Sequence, residues 1–461
     1  MIDGASLVGL TEIGSLPETQ DSSDSARFQP ELRASTAIHP DSELIPVTRA
    51  NGILAAFLTP AGGVISGQGC VALLAGWLPT DMTLVDRAAL VVGIPNHVAT
   101  NPDSPRGRFA AMFGGEGGDA SARRKEQLDA IKDEFRRALT YEKVRTEAIA
   151  QNGQVPTPDP RCEALVPYAR GARLVLFRAN DPVEIRDAIR LTKELNLKAA
   201  ILGGNQAWKV AEELKAARMP VIVAGTLRLP DDASEPYDAP YANPARLHQA
   251  GVTFAISSIA KGPATATASR NLPYEAATAN AFGLPEDEAL KAVTLYPAQI
   301  LGVADRLGSI ESGKHANLVI TAGHLLQPTT EVKALFVGGR PLTPESRHTR
   351  LNDKYTRRLK EVKSGQAPLG LDRPRATTSA PPRLQGDRPP RVPRRPDRVA
   401  RGVVRRNPLI GPGSVGRQPP GPSPPAPTGT TRNTKDSGCT SFNVSQEWLD
   451  RKSPGDSRCV R

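Results

Sequence analysis

From residue 172 onward the chain alternates short, wholly apolar runs with amphipathic stretches, and few architectures accept that alternation. The runs at 174–177, 199–202, 221–223 and 252–256 are too short for helices and lack the polar alternation of a half-exposed strand. Between them, 182–195, 207–217 and 244–250 place apolar residues at helical spacing. Strands buried on both faces and separated by helices are what a parallel sheet covered by helices requires. Two further helices, 274–282 and 285–293, follow, the second with Glu286, Asp287 and Glu288 near its positive N-terminal end.

The rhythm ends in TLYPAQILGVADRLGSIESGKHANLVI, residues 294–320. It reads as a helix stopped at Gly302, where glycine takes a positive φ, then a turn and a half-buried strand at 316–320. Thr294, Pro297, Ala298, Leu301 and Gly302, then Gly308, Gly313, Lys314, Ala316 and Asn317, resemble the C-terminal signature of the amidohydrolase superfamily, with Asn317 where that family usually has Asp. RNLPYEAA, from Arg270, strengthens the likeness, and within the superfamily the chain looks most like imidazolonepropionase-like amidohydrolases. The resemblance is strong over 270–313, moderate over 173–250 and weak before 153. It implies a (β/α)8 TIM-like barrel of the metal-dependent hydrolase type, with a small β-sandwich beside it, acting on carbon–nitrogen bonds other than peptide bonds.

The N-terminal third is less regular. MIDGASLVGLTEIG opens inside an apparent strand, and the resemblance implies a sandwich segment ahead of it that this chain lacks. Residues 20–35 read as a polar loop, 46–50 as a short helix and 52–58 as a buried strand. PAGGVISGQG then reads as a tight loop rather than a phosphate cradle, because Gly67 is followed by Gln68 and Gly69 where a P-loop has Lys and Ser or Thr. Residues 104–118 read as another loop and 121–151 as a long charged helix with Leu128, Ile131, Phe135 and Leu139 on its apolar stripe. Its mixed charges mark a solvated face. The expected domains are a barrel at 1–305, irregular before 153, a partial β-sandwich remnant at 306–345 built from strands around GSIESG, ANLVITAG and VKALFVGGRPL, a helix and linker at 346–364, its helix near 351–362, and a disordered tail at 365–461.

Composition matters mainly for that tail. Of 59 Lys and Arg, 18 lie at 365–461, and of 48 Asp and Glu, 7 do, leaving 41 of each sign ahead of it; the formal charge of +11 therefore belongs to the tail. With 17 prolines between Pro368 and Pro454, the tail cannot bury enough apolar surface to offset ordering entropy. The abrupt shift near Gly365 also resembles an unrelated reading frame. The arginine run at 391–406 would bind phosphate through salt-dependent, sequence-independent contacts. Only Phe442 and Trp448 follow it as stacking platforms, so no specific nucleic acid is expected. No apolar run approaches the roughly 20 residues of a membrane span, and the start lacks a signal peptide, which makes the cytoplasm the default. Cys70, Cys162, Cys439 and Cys459 form no C-x-x-C pair.

Family members hold zinc or another divalent metal through His-x-His on strand one, Lys or Glu on strand four, His on strands five and six and Asp on strand eight. Carried onto this chain, the positions that can be placed, on all but strand four, fall at Ala5 and Leu7, at Arg178, at Gly203, and at Ser257, Ser258 or Ile259. None is an effective zinc ligand, so no metal or cofactor is expected from the residues present. Arg178 would either grip a small anionic ligand or sit in an internal ion pair. His97 would lie at a strand end, catalytic or simply exposed. Asp231 and Asp232 lie in a loop after a strand, as an acid–base pair or as solvated carboxylates. Gly203, Ser257 and Ser258 would line the pocket. His248, near a helix C-terminus, reads as structural; Tyr237 and Tyr241 as lid or packing residues; Trp208 as core or pocket wall.

Three readings follow: a degenerate barrel whose mouth binds a small anionic ligand or a partner, a hydrolase with a site rearranged around Arg178, His97, Asp231 and Asp232, or an interaction protein working through its basic tail. The incomplete sandwich would leave a strand edge for a second copy or another partner to cover, making a homo-oligomer one expectation.

Overall fold

The computed structural model describes residues 1–96, 120–259 and 265–366, so the readings made of 104–118 and of the tail beyond 366 fall outside the described residues. Eight strands form one sheet in chain order: β1 (Ile2–Ser6), β2 (Ala55–Leu58), β3 (Ile65–Leu73), β4 (Thr83–Gly93), β5 (Leu174–Ala179), β6 (Lys198–Gly203), β7 (Val221–Val223) and β8 (Phe254–Ile256). β1 pairs in parallel with β2, and β4 through β8 are parallel throughout. β8 comes back beside β1, so the sheet curls into a nearly closed barrel of the (β/α)8 kind.

β3 is the exception, antiparallel to both neighbours. Only residues 59–64 separate β2 from β3, and a parallel crossover needs about a dozen. The run PAGGVISGQG is therefore not a loop throughout: from Ile65 onward it is strand. Gly69 is required there by packing, since a Cβ would meet the Phe57 ring and lie 2.8 Å from the Leu58 carbonyl oxygen.

The helices are α1 (Leu44–Ala50), α2 (Pro79–Met82), α3 (Ala120–Ala150), α4 (Pro160–Ala169), α5 (Pro182–Glu194), α6 (Ala211–Ala216), α7 (Ala239–Ala250), α8 (Thr265–Ala268), α9 (Leu272–Ala281), α10 (Glu286–Ala292), α11 (Leu295–Ile300) and α12 (Arg347–Lys363). α5 shows why they start where they do. The Asp181 carboxylate accepts from the amides of Val183 and Glu184 at 2.8 and 2.9 Å, Glu184 reaches back to the Asn180 amide at 2.7 Å, and Pro182 occupies the first turn. Ile185, Ala188 and Leu191 then face the sheet.

Several boundaries differ from expectation. α4 was not anticipated; Asp159 caps it, and it packs against α3. On α3 the stripe runs through Ile131, Phe135 and Ala138, leaving Leu139 38% exposed. The stretch 207–217 starts as a 3-10 turn before α6. α7 begins at Ala239, because Pro240 rather than Pro244 takes the first turn. α12 begins at Arg347, where Ser346 accepts from the Thr349 amide at 3.3 Å.

Two apolar layers result. Phe57, Val71, Val91, Leu176, Leu202, Ile222 and Ala255 fill the barrel, which Ala298, Leu301, Val303 and Leu307 plug at the N-terminal ends of the strands. The alternate residues, among them Val175, Phe177, Ile201, Val221 and Ile256, meet the helices outside. Gly302 closes α11 with φ 70°, as its position predicts. A separate antiparallel sheet, β9 (Leu318–Thr321), β10 (Val332–Val337) and β11 (Arg340–Leu342), packs Leu335 and Val337 against Leu54. GSIESG adds no strand to it: Ser309, Glu311 and Lys314 bond to one another across a turn, and Ile310 is exposed. β9 pairs with β10 alone among the described residues. Among the described residues no helix is long and apolar enough to cross a membrane.

Gly69→Ala is expected to lower stability by about 1–3 kcal/mol through overpacking against Phe57. Trimming the ring with Phe57→Leu in the same chain should recover part of that loss; strictly additive losses in denaturant melts would show that the two residues do not share a contact.

Candidate active site at the barrel mouth

In such barrels the strand ends and the loops after them converge at the C-terminal face, so chemistry collects there. Leu174 and Leu176 point into the barrel, and two residues further Arg178 does the same at the mouth. Its Nη2 donates to Ser66 Oγ at 2.7 Å, and that hydroxyl donates to the Gly62 carbonyl at 2.5 Å. Ser66 stands here because β3 runs backwards and starts at the mouth. The expected alternative, an internal ion pair, is not formed with any described Asp or Glu. Burial disfavours the guanidinium charge and pulls its pKa below the usual arginine value.

The other ligand positions are occupied by packing and hydrogen bonds. Ala5 lies wholly inside the inner core, and Leu7 stands beyond the end of β1, its carbonyl accepting from the amides of Leu10 and Thr11. Gly203 ends β6 with φ 110°, and a Cβ there would lie 2.5 Å from Asn180 Oδ1, so no longer side chain fits this backbone. Ser257 Oγ donates to the Val223 carbonyl at 2.8 Å. Ser258 binds Asp3 twice, its amide donating to Oδ1 at 2.9 Å and its hydroxyl meeting Oδ2. The Ile259 carbonyl accepts from the Gly225 amide. Among the described residues no three His, Cys, Asp or Glu side chains stand close enough together to hold a metal ion. The donor set and the closed space at Gly203 do not fit the family's metal.

Asp231 and Asp232 are adjacent in sequence but separate in role. Asp231 accepts from Arg228 Nη1 at 3.0 Å and Asn205 Nδ2 at 2.6 Å. Asp232 is exposed and accepts from the Ser234 amide, which lowers its pKa. No hydrogen bond joins either to Arg178. His97 lies outside the described residues. Tyr237 is exposed, while Tyr241 packs on Phe282 with ring centroids 4.9 Å apart. Trp208 lies against the Arg246 guanidinium, 4.4 Å from ring centroid to Cζ, and His248 pairs with Glu288 at 3.5 Å.

Sequence reasoning missed two buried carboxyl groups at this end whose pKa values burial raises. Asp3 sits on β1 with no exposed surface, and burial pushes its pKa up to about 7 against the donors that favour the anion. Glu275, on α9, accepts from the Leu227 amide at 2.7 Å and Thr226 Oγ1 at 2.8 Å; its pKa is also raised by burial, and its charge works against that of Asp3. The signal for Asp3 was available: an acid within five residues of otherwise uncharged, buried strand.

The fold and the converging strand ends define a nearly closed barrel of the (β/α)8 kind. Residues 183–342 match the model of the amidohydrolase family. An amidohydrolase from Thermotoga maritima superposes with a TM-score of 0.64 at 24% identity, over 74% of this chain and 85% of that one. An imidazolonepropionase from Erwinia tasmaniensis is 55% identical over 38 residues, a stretch spanning 8% of this chain and 9% of that enzyme. Residues 183–342 thus resemble the amidohydrolase family, and the described residues share the barrel fold of the Thermotoga maritima amidohydrolase.

The native state holds the Asp3 proton up to about pH 7, whereas an unfolded Asp releases it near 3.8. Between those values the folded chain binds more protons at Asp3, so its contribution is full below pH ~4 and falls by roughly 4 kcal/mol as pH rises through 7. Asp3→Asn should remove this contribution and raise the melting temperature at pH 7.5, the remaining slope belonging to Glu275 and Glu184, both raised by burial, and to the Met1 amine, lowered to about 5, which acts in the opposite direction. A slope in the variant as steep as in the parent would show that Asp3 is not the titrating group.

Proposed function

We propose that this chain keeps the amidohydrolase barrel without its metal-hydroxide chemistry, and that the mouth binds a small anionic ligand instead of hydrolysing one. The superfamily implies hydrolysis of carbon–nitrogen bonds other than peptide bonds, and that activity depends on a metal-bound water. The observation that carries the proposal is the substitution of a cation for a cation's ligand: Arg178 stands inside the mouth at the position that resemblance assigns to a histidine, and no described carboxylate neutralises it. A guanidinium at that point repels a divalent ion and attracts an anion. The closed backbone at Gly203 and the internal bonds of Ser257 and Ser258 support the same reading. A rearranged catalytic site is less well supported, since Asp231 is tied to Arg228 and Asn205 while Asp232 bonds locally to Ser234.

Metal analysis tests it. The full chain, purified after expression with added zinc and dialysed without chelator, is expected to carry well below one equivalent of metal. One or two tightly held equivalents per chain would overturn the proposal.

A further inference from the structure

Resting on that reading of the mouth, the class of ligand can be narrowed. Arg178 differs from two other guanidiniums set into the same end of the molecule. Arg124 pairs with Asp187, and Arg228 pairs with Asp231 at 3.0 Å. Arg178 has only a neutral partner among the described residues, the Ser66 hydroxyl. That hydroxyl is itself fixed by its bond to Gly62, so it holds the plane of the guanidinium without neutralising it. A half-buried charge without a counter-charge is costly, and an anion that enters the mouth relieves that cost.

Gly93 stands beside the guanidinium. This residue ends β4 and pairs in register with Arg178 on β5, and a Cβ placed there would stand 3.6 Å from Arg178 Nη2. Its φ is not in the left-handed region, so the glycine is not demanded by the backbone. What it leaves alongside the guanidinium is space for a methyl group, which would also stand 3.7 and 3.8 Å from the carbonyl oxygens of Val64 and Gly63. A β-branched side chain at 93 would occupy it.

The charge around the mouth selects among anions. A phosphate dianion needs more than one cation or a cradle of amides. Here Arg228 is already neutralised by Asp231, and Asp3 and Glu275 add negative potential whenever they ionise. A planar carboxylate needs only two parallel N–H groups of one guanidinium. We propose that Arg178, oriented by Ser66 and without a described counter-charge, holds the carboxylate of a small organic monoanion in the barrel mouth.

The test uses the full, metal-free chain at constant ionic strength, with thermal shift and calorimetry as readouts. Propionate is expected to bind saturably and raise the melting temperature, whereas propionamide, which lacks the charge, and inorganic phosphate are not. Arg178→Gln should weaken propionate binding at least about tenfold, the loss of one charge-assisted contact, while the unliganded melting temperature stays level or rises. Gly93→Val should weaken it similarly with Arg178 intact. Propionate binding that is absent, that persists in Arg178→Gln, or that is matched by phosphate would overturn the inference. Stoichiometric metal in the purified chain would remove the underlying reading as well, so a metal-free chain indifferent to propionate overturns this inference alone.

Discussion

Closure of the barrel depends on a buried carboxyl group. No backbone ladder joins β8 to β1; the link is Asp3, which accepts from the Ser258 amide and meets its hydroxyl while also accepting from the Ala5 amide at 3.3 Å. A second bond, between the hydroxyls of Ser6 and Ser269 at 2.6 Å, ties the end of β1 to the turn before α9. Both act at the mouth, where side-chain polarity does what strand pairing does elsewhere in the sheet. The buried acid costs desolvation, and its raised pKa is the measure of that cost.

The same exchange of one interaction for another runs through the site. Residues that the resemblance assigns to ligand positions serve the fold here: Ala5 fills the inner core, Ser257 caps the end of β7, Ser258 closes the ring, and Gly203 leaves space that Asn180 occupies. Arg178 alone of these keeps a charge directed into the mouth, and its hydroxyl partner comes from a strand running against the rest. Fold and activity are separable, and a superfamily barrel carries whatever chemistry its mouth residues allow.

Much of the regular half was legible. The strands and helices between 174 and 300 announced themselves because each strand is buried on both faces and each helix on one, so hydrophobic spacing alone separates them. The arrangement before residue 96 was less so. Nothing in the apolar pattern distinguishes a strand that returns antiparallel from one that crosses over; the length of 59–64 did carry that information, and the glycines obscured it. α4 was hidden by the prolines at 160 and 167, of which the first only starts the helix. At the site, Arg178 and the positions assigned to ligands could be named only through the family resemblance, whereas Ser66 and Glu275 come from segments 112 and 97 residues away from Arg178 and carry no local signal.

By itself the sequence determined the alternation of buried strands and amphipathic helices, through the period of its apolar residues, while the barrel and the positions of its ligands came from the resemblance. Only the tertiary structure decided which way β3 runs, which carboxyl groups are buried together, and that Arg178 meets a hydroxyl rather than an acid among the described residues. The reason is physical. Burial and periodicity are properties of neighbouring residues, while the environment of a charge is set by whatever distant segments close around it.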